Sequence, residues 1–548
     1  MRRMLWLTLA LATTSAIGLA QTSQAPATRT SRTPRATPSP SAAATVPTFD
    51  RKTYEIPHRR FVLANGLTLL VHEDHSIPVV SVNLWYHVGS RNEQRGRTGF
   101  AHLFEHFFFN GSEHYPKGFR EAMDDLGATN RNGTTSTDRT NFFEDVPVSA
   151  LERTLYLEAD RMGFLAGQIN QAMLTRERGV VQNEKRQGED RPYGRDYSRI
   201  IERMYPPSHP YSWPTIGSME DLNAATLDDV RTWYATHYGP NNCVLSLAGD
   251  ITPDQALALV RKYFDGIKPG PPAERVERWI PRLDANLRER IEARVPQTRV
   301  YRVYHAPAWR DVDMDALDVA ASVLSGSRSA RLDRRLIYDE ELATAVSAGA
   351  QTSEVAGLFI VDVTLKPGVD PARVESIVDA TLTEFLRQGP TESELQRART
   401  RILAAFSRQT ERLGGFGGRS DVLAQAATFD GTSDGYLVHL ERTVQATVTQ
   451  VRDVARHWLD APHYTLVVTP VPTLAAGQSS VDRAVLPALG TPPEVTFPRL
   501  ERATLTNGLK VMLLERHSAP LVNMTLAVDA GYASDTAATA GAASLALD

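Results

Sequence analysis

Residues 89–118 read GSRNEQRGRTGFAHLFEHFFFNGSEHYPKG. Within them, His102-Leu103-Phe104-Glu105-His106 sets two histidines four residues apart. On an α-helix that spacing is about one turn, so both imidazoles leave the same side. Asn110-Gly111 closes the segment as a helix stop. Leu103, Phe104, Phe107, Phe108 and Phe109 make the helix apolar nearly all round, which predicts burial. Burying two histidines and a carboxylate without partners is costly. Two readings stand at this point: helix-surface histidines with a glutamate between them, or a metal pair. Two imidazoles on one side suit a tetrahedral zinc, with Glu105 in reach of a water on that ion. The order H-x-x-E-H is the inverse of the metalloprotease motif H-E-x-x-H.

A catalytic zinc commonly takes three protein ligands and keeps one position open. The candidates for the third lie in TRERGVVQNEKRQ (175–187). Glu177 and Glu184 are seven residues apart, two helical turns, and share a face. The alternative for each is a solvated glutamate on an arginine-rich helix.

Working outward, FVLANGLTLLVHED (61–74) reads as a hairpin turning at Asn65-Gly66. VVSVNLWYHVGS (79–90) is a strand with Val80, Val82, Leu84 and Tyr86 on one face. FREAMDDLGA is a short helix, and NGTTSTDRTNFFEDVP (132–147) is polar and β-prone. Two long helices follow, at 150–165 and 170–187, then the strand NCVLSLAGD and the helix TPDQALALVRKYFDGI. IKPGPPAERVERWIPR is a proline-rich connector. A second α+β unit follows, with strands RVYRVYHAP, GLFIVDVTLKP and YTLVVTPVP and a helix DMDALDVAASVLSG.

The chain also repeats itself. TLTNGLKVMLLERHSAPLVNMTLAVDAGYAS (504–534) matches VLANGLTLLVHEDHSIPVVSVNLWYHVGSRN (62–92) at a constant offset of 442. Asn65-Gly66-Leu67 maps onto Asn507-Gly508-Leu509 and Pro78 onto Pro520. Continued without a gap, the repeat puts Ser544, Leu547 and Asp548 where the first copy has His102, Glu105 and His106. The expectation is a third unit that has lost its metal residues, with the sequence stopping inside it, as in a fragment of a longer protein.

The ends and the composition set the remaining bounds. Arg2 and Arg3, the apolar stretch Leu5 to Leu19, and the small residues Gly18 and Ala20 read as an export signal cleaved before Gln21. Residues 21–48 are Ala/Ser/Thr/Pro-rich and read as a tether. The first 48 residues carry five arginines and no acid, so the formal charge of −4 becomes −9 on the rest. That argues against nucleic acid as a partner. One cysteine, Cys243, excludes an intrachain disulfide and a cysteine metal site. No further segment is apolar enough to span a bilayer. Export in a bacterium, to the periplasm or the medium, is the expected location.

The motif segment closely resembles the core of the pitrilysin/insulinase (M16) peptidases. So do LGATNRNGTTSTDRTNFF, LEADRM, ERGVVQNEKR and, in the second unit, GSRSARLDRRLIYDEELATAVSAG. The resemblance covers about residues 55–548. It implies an α+β fold of tandem M16-type (LuxS/metallopeptidase-like) domains, each a mostly antiparallel sheet packed with helices. Its domains are a catalytic one at 49–275, a non-catalytic one at 276–475, a linker at 476–495 and the start of a third at 496–548. It implies one Zn2+ per chain held by His102, His106 and Glu184, the last 78 residues after His106. Glu105 is the implied general base and Glu177 a supporting catalytic acid. The stretch Asn132-Gly133-Thr134-Thr135 resembles the family's peptide-pairing edge strand, with Asn132, Gly133 and Thr134 as the implied substrate-binding residues. The activity implied is zinc endopeptidase action on short or unfolded polypeptides, with a second M16-type half or subunit as partner. The alternative is a non-catalytic peptide-binding or assembly subunit. Retention of His102, Glu105, His106 and Glu184 favours the enzyme.

Overall fold

The computed structural model describes residues 49–272, 277–472, 499–515 and 522–542. The export signal, the tether, the linker and Ser544, Leu547 and Asp548 lie outside the described residues.

The first sheet has six strands: β1 (Arg59–Val62), β2 (Thr68–Glu73), β3 (Val79–Tyr86), β4 (Thr129–Thr135), β5 (Thr140–Pro147) and β6 (Cys243–Gly249). Their order is β1-β2-β6-β3-β5-β4. β6 runs parallel to β2, and the other pairings are antiparallel. The turn between β1 and β2 needs a residue at positive φ, and Gly66 supplies it at +90°. On one face of the sheet lie α1 (Phe100–Phe108) and α2 (Leu151–Phe164). Leu103, Phe104, Phe107 and Phe108 are fully buried there against Tyr86, Phe142, Tyr234 and Tyr238. Each buried Phe contributes on the order of 2–3 kcal/mol, enough to hold a nine-residue helix that would be marginal alone. α3 (Gln171–Asp190) and α4 (Asp196–Met204) follow.

The second sheet has β7 (Leu287–Ala293), β8 (Arg299–Ala306), β9 (Ala343–Thr352), β10 (Gly357–Leu365) and β11 (Tyr464–Pro470), in the order β7-β11-β8-β10-β9. β11 is parallel to β7, and the other pairings are antiparallel. This is the first sheet without its outermost strand, so the two units share one topology. α5 (Asp313–Leu324) packs on this sheet. Residues up to Pro472 form one compact unit.

The two sheets exchange helices. α6 (Arg419–Phe429) and α7 (Gly435–Gln445), from the second half, cover the back of the first sheet through Leu70, Val422, Leu423, Tyr436 and Leu437. α4, from the first half, covers the back of the second sheet through Ile200, Ile201, Met204, Leu358 and Leu466. β3 is therefore buried on both faces. Ser81, Asn83 and Trp85, opposite the apolar face read from its alternation, meet Ser420 and Asp421 of α6.

The described residues from 499 onward belong to a second unit. There β12 (Leu500–Thr504) and β13 (Lys510–Leu514) pair antiparallel. The pairs Thr504↔Lys510 and Glu501↔Leu513 reproduce Val62↔Thr68 and Arg59↔Val71 at the same offset of 442. Gly508 takes φ +87° where Gly66 takes +90°, and Gly541 takes +92° where Gly99 takes +90°. The repeat read from the residues is thus a repeat of backbone conformation at the hairpin and at these glycines, whereas residues 522–528, which correspond to Val80–Tyr86 of β3, form no strand.

Candidate metal centre

α1 starts at Gly99, held at φ +90°. The buried Glu93 carboxylate caps it, accepting from Gly99 N at 3.0 Å and Ala101 N at 2.9 Å. Burial raises the Glu93 carboxyl to about 8, against the pull of these N–H donors and Trp213. At the other end, Arg161 of α2 is fully buried, donates to the Phe108 carbonyl at 3.3 Å and pairs with Glu158. That pairing is what the LEADRM segment supplies to the helix.

His102 and His106 project from one side of α1, their rings 4.9 Å apart and nearly perpendicular. α3 crosses that side. Glu184 Oε2 lies 3.3 Å from His106 Nε2 and 3.9 Å from His102 Nε2. Ligand atoms of His102, His106 and Glu184 all lie within 4.8 Å of one another, the one such His/Cys/Asp/Glu group among the described residues. Glu177, two turns earlier on α3, stands behind His106 with Oε2 at 3.8 Å from Nδ1. His102 Nδ1 is buried and has no hydrogen-bond partner.

The electrostatics follow the geometry. Burial lowers His102. Burial also pulls His106 down, but Glu177 and Glu184 outweigh it and hold the ring raised to about 9. Burial pushes both carboxyls up, and His106 together with Arg176 at Glu177 and with His102 at Glu184 more than offsets this, leaving each below its ordinary value. A pocket with three carboxylates around two imidazoles favours a cation.

Glu105 is buried on the same helix and accepts one hydrogen bond, from Thr135 Oγ1 to Oε2 at 2.7 Å. Asn132, Gly133 and Thr134 lie on β4, the terminal strand of the sheet, opposite Phe143, Phe142 and Asn141. A Cβ on Gly133 would sit 2.8 Å from the Phe109 ring, so glycine lets the end of α1 approach the strand. His72, His75, His87 and His114 stand outside the cluster. His114 pairs with Asp160, His75 with Glu73 and Asp250, and His87 with Glu354.

Three contacts here escaped the sequence reading. Thr135 belongs to the stretch matched to the family's edge strand, but its bond to Glu105 was not legible. Glu93 is an ordinary polar residue until the chain turns back on it. Asn110 was legible as a helix stop, but its bond to Glu177 at 3.3 Å was not.

Two family models match the chain: Insulinase (Peptidase family M16) over residues 68–204, and Peptidase M16 inactive domain over residues 224–402. The chain belongs to the M16 peptidase family. This M16 chain is 27% identical over 366 residues to the zinc protease PqqE of Helicobacter pylori, spanning 65% of this chain and 80% of that one. It is 26% identical over 419 residues to an uncharacterised zinc protease of Mycobacterium leprae, spanning 75% and 91%. Its fold matches the crystal structure of a protease from Helicobacter pylori with a TM-score of 0.69 at 24% identity, covering 76% of this chain and all of that one. The periplasmic protease PqqL from Escherichia coli matches with a TM-score of 0.62 at 18% identity, covering 84% of this chain and 56% of that one. The fold expected from the sequence, tandem M16-type α+β domains, is the fold observed. Among the described residues no helix is long and apolar enough to cross a membrane.

Proposed function

We propose that this M16 chain is a zinc-dependent metalloendopeptidase acting on short or unfolded polypeptides. The reading rests above all on one observation: two imidazole nitrogens and a carboxylate oxygen converge within 4.8 Å beside a carboxylate, Glu105, that is not one of the three. This donor set fits zinc. Bonds of about 2.0–2.1 Å in a tetrahedron put ligand atoms roughly 3.4 Å apart, close to the 3.3 Å and 3.9 Å found. Zinc, when bound by His102, His106 and Glu184, acidifies water and polarises a carbonyl.

The chain's own residues do the rest. Glu105 keeps Oε1 free of protein hydrogen bonds among the described residues, and there it takes the proton of the attacking water. It returns that proton to the amine as the C–N bond breaks. Glu177, 3.8 Å from His106 Nδ1, attracts a proton to that nitrogen and so would leave Nε2 for the ion. The outer edge of β4, at Asn132, Gly133 and Thr134, receives an extended peptide as an added strand. Backbone pairing makes that binding tolerant of sequence. The relatives' names, zinc proteases, support this reading. The inactive-domain match covers 224–402 and so does not include the metal cluster. We extend the proposal to export in a bacterium and to a second M16-type half or subunit as partner.

The test is cleavage of an unstructured quenched-fluorescent peptide by the purified chain, with and without a zinc chelator, beside Glu105→Gln. Chelator-sensitive cleavage that the variant lacks supports the enzyme. Zinc and peptide binding without cleavage would make the chain a peptide-binding or assembly subunit.

A further inference from the structure

Glu105 and Thr135 sit 30 residues apart in sequence, on α1 and β4, and one hydrogen bond of 2.7 Å joins them. We propose that Thr135 is a positioning residue: it ties the Glu105 carboxylate to the edge strand, so that seating a peptide and aiming the base become one event. This rests on the reading of Glu105 as the base.

The argument begins with the strand. Successive residues of β4 face opposite sides of the sheet. Thr135 faces α1, whereas Thr134 faces the other way and donates from Oγ1 to Asn141 Oδ1 at 2.6 Å. Behind it stand Asn83 and Asn141, both fully buried, whose amides reach Asp421 Oδ1 on α6 at 3.2 Å and 3.5 Å. Trp85 Nε1 and Gly417 N also donate to Asp421, both within 2.9 Å. Arg139 donates to the Thr134 carbonyl at 2.9 Å. The back of β4 is thus clamped to a helix from the second half of the chain, which leaves Thr135 a fixed point on its front.

The Thr135 hydroxyl then occupies Oε2 of Glu105. A carboxylate on three rotatable bonds is poorly aimed unless one oxygen is held, and a hydroxyl on an ionised acceptor is among the stronger hydrogen bonds available. Oε1 is left for the water. A peptide added along β4 lies against the strand that sets the direction of this oxygen.

The experiment compares Thr135→Val, which keeps the shape and loses the hydroxyl, with Thr135→Ser, which keeps the hydroxyl. In the full chain, kcat and KM are measured on the unstructured peptide and zinc affinity by chelator competition. Carbodiimide labelling of Glu105 is followed by mass mapping in the metal-free protein. Thr135→Val should lower kcat roughly tenfold, leave KM and zinc affinity within about twofold, and speed Glu105 labelling. Thr135→Ser should restore both. Wild-type kcat in the valine variant, or a serine variant as slow as valine, overturns the proposal. If the wild type cleaves nothing, the functional reading fails. The labelling arm still decides the bond, because equal labelling of valine and wild type rejects the positioning role.

Discussion

The Asn110 amide bridges the end of α1 to α3: Nδ2 donates to the His106 carbonyl at 3.0 Å and to Glu177 Oε1 at 3.3 Å. Arg176 donates to both partners of that bridge, to Glu177 Oε1 at 2.9 Å and to Asn110 Oδ1. Glu177 in turn faces His106 Nδ1. Supports behind a metal-ligating histidine typically matter by about 10–100-fold in metal affinity. Asn110→Ala should therefore weaken zinc binding by roughly tenfold in chelator competition. Combined with Glu177→Ala it should add little more, because the two act on one imidazole. Full additivity would show that Asn110 serves the helix end alone.

Zinc should stabilise the fold, because only the folded chain brings Glu184 to α1. At a thousandfold excess over Kd the gain is about 4 kcal/mol. Glu184→Gln should abolish the zinc-dependent rise in melting temperature while leaving the metal-free midpoint within a degree or two. A variant that still shifts with zinc would place the ion elsewhere.

Arg161 is the cation of a fully buried cluster with Glu158, next to the buried Glu144. Its guanidinium lies 3.7 Å from the Phe119 ring centroid and reaches the carbonyl of Phe108. Replacing it strands a buried carboxylate, which costs about 3–5 kcal/mol. Arg161→Met should lower the denaturant midpoint markedly and weaken zinc binding as α1 loosens. A change under about 1 kcal/mol would mean that the cluster relaxes or takes up a proton.

His439 of α7 lies between two carboxylates, 2.9 Å from Asp315 and 3.4 Å from Asp430, with Arg442 also facing Asp315. Burial lowers the ring, but the bonds to Asp315 and Asp430 outweigh it and raise it to about 9. The folded value exceeds the unfolded one, so this stabilisation is full below about pH 6.5 and is lost as pH rises through about 9. Its size is on the order of 3 kcal/mol. Urea unfolding from pH 6 to 10 should show that loss together with the one His106 contributes over the same range, and His439→Gln should remove its own share. Equal slopes in both proteins would remove His439 as the cause.

Much of this was legible locally. The β1–β2 turn follows from Asn65-Gly66, whose backbone demands recur at Asn507-Gly508 with the same register. The strands of the first sheet and α1, α2 and α3 stand where the residue pattern placed them, whereas α4 and the helix Leu227–His237 went unread. Legibility failed where burial comes from distant chain. Ser81 and Asn83 carry no apolar signal, yet α6, some 340 residues later, buries them. β7 and β9 went unread because each mixes polar and small residues and buries little of its length.

The sequence by itself determined the pairing of His102 with His106, because a four-residue helical spacing is a local fact, and it put Glu105 beside them. It also limited the partner carboxylate to Glu177 or Glu184, which share a face of α3. Resemblance to the M16 core favoured Glu184, and only the tertiary structure decided where each of the two stands. The crossing of α3 over α1 brings Glu184 Oε2 to the imidazole Nε2 atoms and leaves Glu177 behind His106. The contacts from Thr135 to Glu105 and from Asn110 to Glu177 were decided there too. Each joins elements whose approach depends on packing around Phe104, Phe107 and Phe108, and no spacing along the chain encodes that approach.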